Sequence, residues 1–391
     1  MTDKHTTLLI IGAGPFGLAM SAHAKHLGID HIIVGKPMEF WKMNMPDGMY
    51  LRSDCNWHLD PENEHTINKF LELQGLTYTD VEPLSKHFYL SYAQWFTEQK
   101  QIDVSPEYIQ RLDKETNGYT AITDNGTVIN AKFIVVAIGF KYFKFLPKAL
   151  VKDLPQGSYS HSCDLTDMIL MKGKRVLIVG GRQSAFEWAA LLHEAGTAVI
   201  YLSYLHRTPE FTASDWAWVN PLVDNLAEHP LWFRNLSQVE KDAVGKKMWA
   251  EGRLKLEPWL ASRVTKASVH LFPSSRVIVC IRLPNGELKL LLDKGQKITA
   301  DHIILATGYK VNIRNVPFLA EGNILSKLTI KNDFPVLDEY FQTNLPGLFI
   351  TSMPAAQDFG PFFEFTIAVR VSAKLIGKAL MKSISFNQEK E

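Results

Sequence analysis

An unbroken apolar run, Leu8-Leu9-Ile10-Ile11, stops at Gly12-Ala13-Gly14-Pro15-Phe16-Gly17. A run bounded in this way predicts a buried strand, a glycine turn and a helix over Gly14 to His26, closed by Gly28 and followed by a strand at His31 to Val34. The same order returns at Val176-Leu177-Ile178-Val179, Gly180-Gly181-Arg182-Gln183-Ser184-Ala185, a helix to Glu194, a stop at Gly196 and a strand over Ala198 to Leu202. Runs without polar alternation suit strands covered on both faces, so each copy predicts a parallel βαβ unit.

Between the copies the pattern predicts helices over Thr66 to Gln74 and Ser91 to Lys100, then a hairpin turning at Asp124-Asn125-Gly126. A buried strand follows at Phe133 to Gly139, and a matching strand exit recurs at Ile303 to Tyr309. Residues 210 to 262 carry Trp216, Trp218, Trp232, Trp249 and Trp259, too long a stretch for a structureless loop, and are expected to form a helical insert. A last helix is expected from about Pro361 to Lys382. The resulting fold class is α/β, with two Rossmann-like dinucleotide-binding domains in a glutathione-reductase-like arrangement. Residues 1–150 and 318–391 are expected to form an FAD-binding domain, and 151–317 an NADPH-binding domain that holds the insert.

Composition narrows this picture slightly. With 391 residues, 46% hydrophobic and a net charge of +1, the chain suits a multidomain enzyme and shows no basic arm for nucleic acid. No stretch reaches the ~18 to 20 apolar residues of a membrane span. The polar start, Met1 to Thr7, does not read as a signal peptide. Cys55, Cys163 and Cys280 are widely separated and form no Cys-x-x-Cys pair, which argues for a reducing, cytoplasmic setting and against a redox-active dithiol next to a cofactor. Oligomeric state is not encoded in any of these features.

In the first fingerprint Gly12 permits the tight turn, Gly14 lets backbone approach a pyrophosphate at the helix opened by Pro15 and Phe16, and Gly17 allows close packing. The second strand ends on Val34-Gly35-Lys36 where an acid for ribose hydroxyls is usual. Lys36 and Glu39 are the candidates for that contact, Glu39 being equally readable as a solvated charge. The second copy has Arg182 for the middle glycine and Ala185 for the last, with Gln183 and Ser184 adding donors at the helix start. Leu202-Ser203-Tyr204 ends without an acid and leads to His206 and Arg207, which favours NADPH over NADH unless Arg207 is simply a surface charge.

The block from Phe40 to Ser53 follows the first unit where a flavin ring would lie. Trp41 is a candidate cofactor contact, and Arg52 a candidate catalytic cation stabilising negative charge on the flavin, or else a structural ion-pair partner. His161, His206, Asp215 and Arg253 are candidates for substrate contact, each more readily read as structural. Two dinucleotides on one chain point to hydride transfer from NADPH to FAD. The final acceptor stays open between oxygen, a quinone or another electron acceptor, and a non-catalytic nucleotide sensor is the third alternative.

The two unequal fingerprints, the Leu305-Ala306-Thr307-Gly308-Tyr309 exit and the missing dithiol together resemble the class B flavoprotein monooxygenases, which include flavin-containing monooxygenases, Baeyer-Villiger enzymes and N-hydroxylases. Gly157 and His161 match the family's linker spacing, whereas Pro155 and Leu165 stand at its flanking aromatic positions. Ser352-Met353 replaces the Gly-Asp of thioredoxin-reductase-like relatives. The Trp41/Met45/Gly48/Met49/Leu51/Arg52/Ser53 block resembles a bacterial subgroup that contains a urate hydroxylase. The resemblance implies FAD, NADPH, O₂ and a small organic substrate, oxygen transfer through a flavin C4a-(hydro)peroxide, and cofactor contact at Thr307 and Gly308.

Overall fold

In the computed structural model, which describes residues 3–388 apart from the side chains of Arg253, Asn387 and Gln388, each fingerprint strand sits inside its own sheet. Asp3–Ile11 lies between His31–Val34 and Val128–Val136, parallel to both, so that Leu8 faces His31 on one side and Phe133 on the other. Val104–Ser105 extends one edge, the antiparallel strands Gly118–Thr123 and Ile109–Glu115 the other, and Leu348–Ile350 pairs the far end of Val128–Val136. Leu8, Leu9 and Ile10 are fully buried, as expected for a strand covered on both faces. The chain leaves this central strand towards one neighbour and returns beside the other, which opens a crevice at the strands' carboxyl ends.

The second sheet repeats the arrangement. Its order is Val269–Pro273, Val199–Tyr204, Arg175–Val179, His302–Leu305 and Tyr159–His161, all parallel. An antiparallel meander, Val277–Arg282, Leu288–Leu292 and Lys297–Ala300, packs beside it. Two crossings join the sheets. Phe145 N donates to Gly308 O at 2.9 Å, Lys310 N to Phe143 O at 2.8 Å, and His161 Nε2 to Gly308 O at 3.0 Å. His161 thus pins one crossing segment to the other, its Nδ1 lying 3.0 Å from the buried Cys163 thiol.

The Asn125-Gly126 hairpin is present, with Gly126 at φ 83° and its N–H bonded to Thr123 O. The helix expected from Ser91 begins earlier, at Lys86, because Ser85 Oγ accepts the Phe88 N–H and caps it. The last helix runs Val369–Gln388 and starts later than expected, since Phe365 is extended and only single turns precede it. Gly377 brings this helix against the first fingerprint helix, Pro15–His26: a Cβ there would stand 2.5 Å from the His23 ring.

Residues 210–262 contain the helices Asn220–Glu228 and Gln238–Arg253, but they do not build a core of their own. Val219, Val223, Leu226 and Met248 join the core of the first sheet, while Leu256 and Leu260 join that of the second. The stretch straddles both halves of the molecule instead of decorating the second alone. Among the described residues no helix is long and apolar enough to cross a membrane.

Candidate active site

A cleft opens at the carboxyl end of the first sheet. Its floor is the first fingerprint, Gly12 to Phe16; one side is Lys36, Glu39, Phe40 and Trp41; the other is Gly139 to Tyr142 with Ser352, Met353 and Phe363 to Thr366. Gly12 has φ 113°, a left-handed value natural to glycine, and Gly17 passes so close to the turn that a Cβ would overlap Gly12 O. Gly14, by contrast, has open space beside it. It caps the helix without a side chain, and no acid occupies the first turn, so the free N–H groups and the positive end of the helix dipole are left for an anion. These residues fit the pyrophosphate of FAD.

Glu39 is the acid that the cleft wall presents, where Gly35 ends the strand without one. Gly35 has φ 125°, and a Cβ there would press to 3.3 Å from Ala13 N, so the strand end cannot carry a side chain without crowding the turn. Glu39 stands on the cleft wall with Lys141 Nζ at 3.0 Å and Lys36 Nζ at 3.9 Å. Burial works to raise its carboxyl, but the Tyr108 hydroxyl and the Lys141 ammonium outweigh burial and hold it below the ordinary carboxylate range. Lys141 also lies 3.7 Å over the Tyr108 ring. Trp41 reaches the cleft and stacks on the buried Tyr89 at 4.8 Å.

The second fingerprint forms a parallel but separate arrangement. Gly180 has φ 145°, and Gly181 lies flat against the Tyr204 side chain, leaving 2.4 Å for a Cβ. Arg182 is the cap, extended and without a side-chain cap bond, and its guanidinium lies 4.0 Å over Trp249. Gln183 and Ala185 are buried and Ser184 is exposed. Arg207 is 77% exposed beyond the strand end, 3.3 Å from Glu210. Thr307 bonds Phe145 O and Gly308 receives His161, so both hold the crossing between the sheets and neither lines the first cleft. His206 Nδ1 donates to Arg207 O, and Asp215 accepts the Ala217 N–H. The Arg253 side chain lies outside the described residues.

The sequence profile described as pyridine nucleotide-disulphide oxidoreductase matches residues 9–230, more than half of the chain. The chain belongs to this family. The oxidoreductase is 23% identical over 396 residues to a probable indole-3-pyruvate monooxygenase, YUCCA9 of Arabidopsis thaliana, covering 90% of this chain and 88% of the relative. Among solved structures it is similar to an ornithine N-hydroxylase of Kutzneria sp. 744, with a TM-score of 0.80 and 12% identity over 97% of this chain and all of the other. It is also similar to a bacillithiol disulfide reductase of Staphylococcus aureus, with a TM-score of 0.66 and 18% identity over 97% and 99% of the two chains. Both structural likenesses describe the fold.

Arg52 is not brought to the cleft of this oxidoreductase. Its Nε donates to Glu257 at 2.8 Å, Nη1 to Gly252 O at 2.8 Å, and Nη2 to Ser214 and Glu251 O, with the Trp216 ring 5.6 Å away. Of the two readings of Arg52, these contacts favour the structural ion pair, which ties the Phe40 to Ser53 block to the 210–262 stretch. Beside it lies Glu187, which periodicity alone hides on an apolar helix face. Glu187 is fully buried; Oε1 accepts the Tyr50 N–H at 3.2 Å and Oε2 has no partner among the described residues. Burial pushes its carboxyl up to about 8 against the pull of that N–H, Arg263 and Arg52.

This burial gives stability a definite pH dependence. Folded, Glu187 keeps its proton up to about pH 8, whereas the unfolded chain releases it near 4.5. The native state therefore binds more protons between those values, and stability falls as pH rises through that window. Glu187→Gln removes the dependence, and unfolding free energies from urea titrations at pH 5.5 and 8 should diverge by ~3 kcal/mol less in the variant than in the parent. Identical pH profiles would show that Glu187 is ionised in the native state.

Proposed function

We propose that this oxidoreductase is an FAD- and NADPH-dependent monooxygenase that places one atom of O₂ on a small organic substrate. The observation that carries the reading is an aromatic-walled flavin cleft without a thiol: Cys55, Cys163 and Cys280 are all free, and none lines it. The chain has no Cys-x-x-Cys pair of the kind that carries electrons from a flavin to a disulfide. The likeness to YUCCA9 extends over 90% of the chain and supports oxygen as acceptor.

In this reading Gly12, Gly14, Pro15, Phe16 and Gly17 hold the FAD pyrophosphate, and Glu39, with Lys36 beside it, takes the ribose. Trp41 closes that side. Gly180, Gly181, Arg182, Gln183, Ser184 and Ala185 receive NADPH, with Arg207 at the 2′-phosphate. Bound FAD supplies the hydride acceptor and the site of oxygen activation. The chain's own work is to fix the two nucleotides, keep Glu39 ionised as an acceptor, and exclude water with Phe363, Phe365 and Met353. The FAD-binding part comprises 1–150 and 318–391 and the NADPH-binding part 151–317, in a cytoplasmic enzyme that calls for no nucleic-acid partner.

The test is turnover of the FAD-loaded protein with NADPH under ¹⁸O₂ across amines, ketones and nitrogen heterocycles. One labelled oxygen atom per NADPH consumed is expected in the product of at least one class. NADPH oxidation that yields only hydrogen peroxide, or reduction of quinones without label, would replace the monooxygenase reading by a reductase.

A further inference from the structure

We propose that a second cavity, on the opposite side of the Phe365–Ile367 segment from the flavin cleft, binds the carboxylate of a small organic acid, with Arg370 as anchor. The cavity measures about 320 Å³ and is walled by His58, Asn68, Asn220, Asp224 and Arg370, from four separate segments of the chain. Phe365 and Thr366 line the flavin cleft while Ile367 lines this cavity, so one strand of backbone divides them. The site rests on this geometry and is independent of the monooxygenase reading.

Arg370 is the reason for an anion. Its Nη1 donates to His58 Nε2 at 2.8 Å and to Asn63 Oδ1 at 3.3 Å. Both acceptors are neutral: burial and then the Arg370 charge itself push His58 down to about 3. Among the described residues no ion pair compensates the guanidinium, and Nη2 and Nε make no hydrogen bond, although burial disfavours its charge. A half-buried arginine fork with donors to spare, facing a polar cavity, matches a carboxylate's two oxygens.

The rim sets the charge and size of the ligand. Asp224 is exposed at the mouth and is the carboxylate that acts most strongly on Arg370, which favours a monoanion over a doubly charged phosphate. Trp57 Nε1 donates to Asn220 at 3.1 Å, and its ring meets Phe365 edge-on at 6.3 Å. An acid held by Arg370 thus lies beside the aromatic wall that the flavin cleft shares.

Calorimetric titration of the FAD-loaded protein, without NADPH, tests the site with benzoate, benzamide and inorganic phosphate. Benzoate should bind more tightly than either of the other two. Arg370→Gln, which keeps a donor for His58, should weaken benzoate ~10-fold, while Asp224→Asn, at an exposed position, should tighten it ~3-fold; benzamide should respond to neither. Thermal melts confirm that the variants are folded, and the Asp224 variant carries the test alone should the Arg370 variant not be. No benzoate binding, preference for phosphate or benzamide, or indifference to Asp224→Asn would overturn the proposal. Because the titration consumes no oxygen, it fails or succeeds independently of the ¹⁸O experiment.

Discussion

Gly17→Ala should produce a protein that no longer retains FAD through gel filtration and unfolds at markedly lower urea. The added Cβ would stand within overlap distance of Gly12 O, a backbone atom that can yield only by moving the whole turn. Overpacking a close contact costs ~1–3 kcal/mol even where side chains can adjust, and here none can. Moving the turn also misaims the N–H groups that face the pyrophosphate, so flavin affinity should fall at least ~100-fold. Gly14→Ala is the control. Its Cβ meets no protein atom within 4 Å, so that variant should melt like the parent and lose affinity only through contact with the cofactor. A Gly17→Ala protein that is fully yellow and fully stable would show that the helix does not depend on this approach.

Arg52→Ala should cost ~3 kcal/mol of stability, because it strands Glu257 in a setting where each side chain of the pair is largely covered. It also removes the donors for Gly252 O and Glu251 O at the end of the helix Gln238–Arg253. Limited proteolysis should therefore cut the 210–262 stretch faster in the variant. Glu257→Gln in the same chain should recover part of the loss, since the stranded charge is gone. If Arg52→Ala instead kept its stability and its protease resistance while oxygen transfer failed, Arg52 would be acting at the flavin and not as a tie.

The parts of the molecule legible in advance share a physical trait: they are decided within a dozen or so residues. Each fingerprint is a run, a turn and a helix whose glycines answer to contacts between close neighbours in sequence, as Gly17 does to Gly12. The Asn125-Gly126 turn is local in the same sense. The helix ends misjudged at Lys86 and Val369 depend on a single capping serine and a single extended phenylalanine, which hydrophobic periodicity does not record. Glu39 was visible as one of two candidates for the ribose, but the Lys141 and Tyr108 contacts that hold its carboxyl below the ordinary range come from residues remote in sequence.

The site beyond the fingerprint was not legible for the same reason. The cleft's second wall, Ser352 to Thr366, meets the fingerprint because Leu348–Ile350 pairs with Val128–Val136. Local pattern was enough to establish two βαβ units, each with its glycine turn, and the lack of a Cys-x-x-Cys pair. Tertiary packing alone directed Arg52 to Glu257 rather than to the cleft and, among the described residues, buried Glu187 Oε2 without a partner and left Arg370 with no carboxylate at ion-pair distance. Each of those outcomes is set by the burial and charge that distant segments bring to one residue, quantities that no stretch of neighbouring sequence carries.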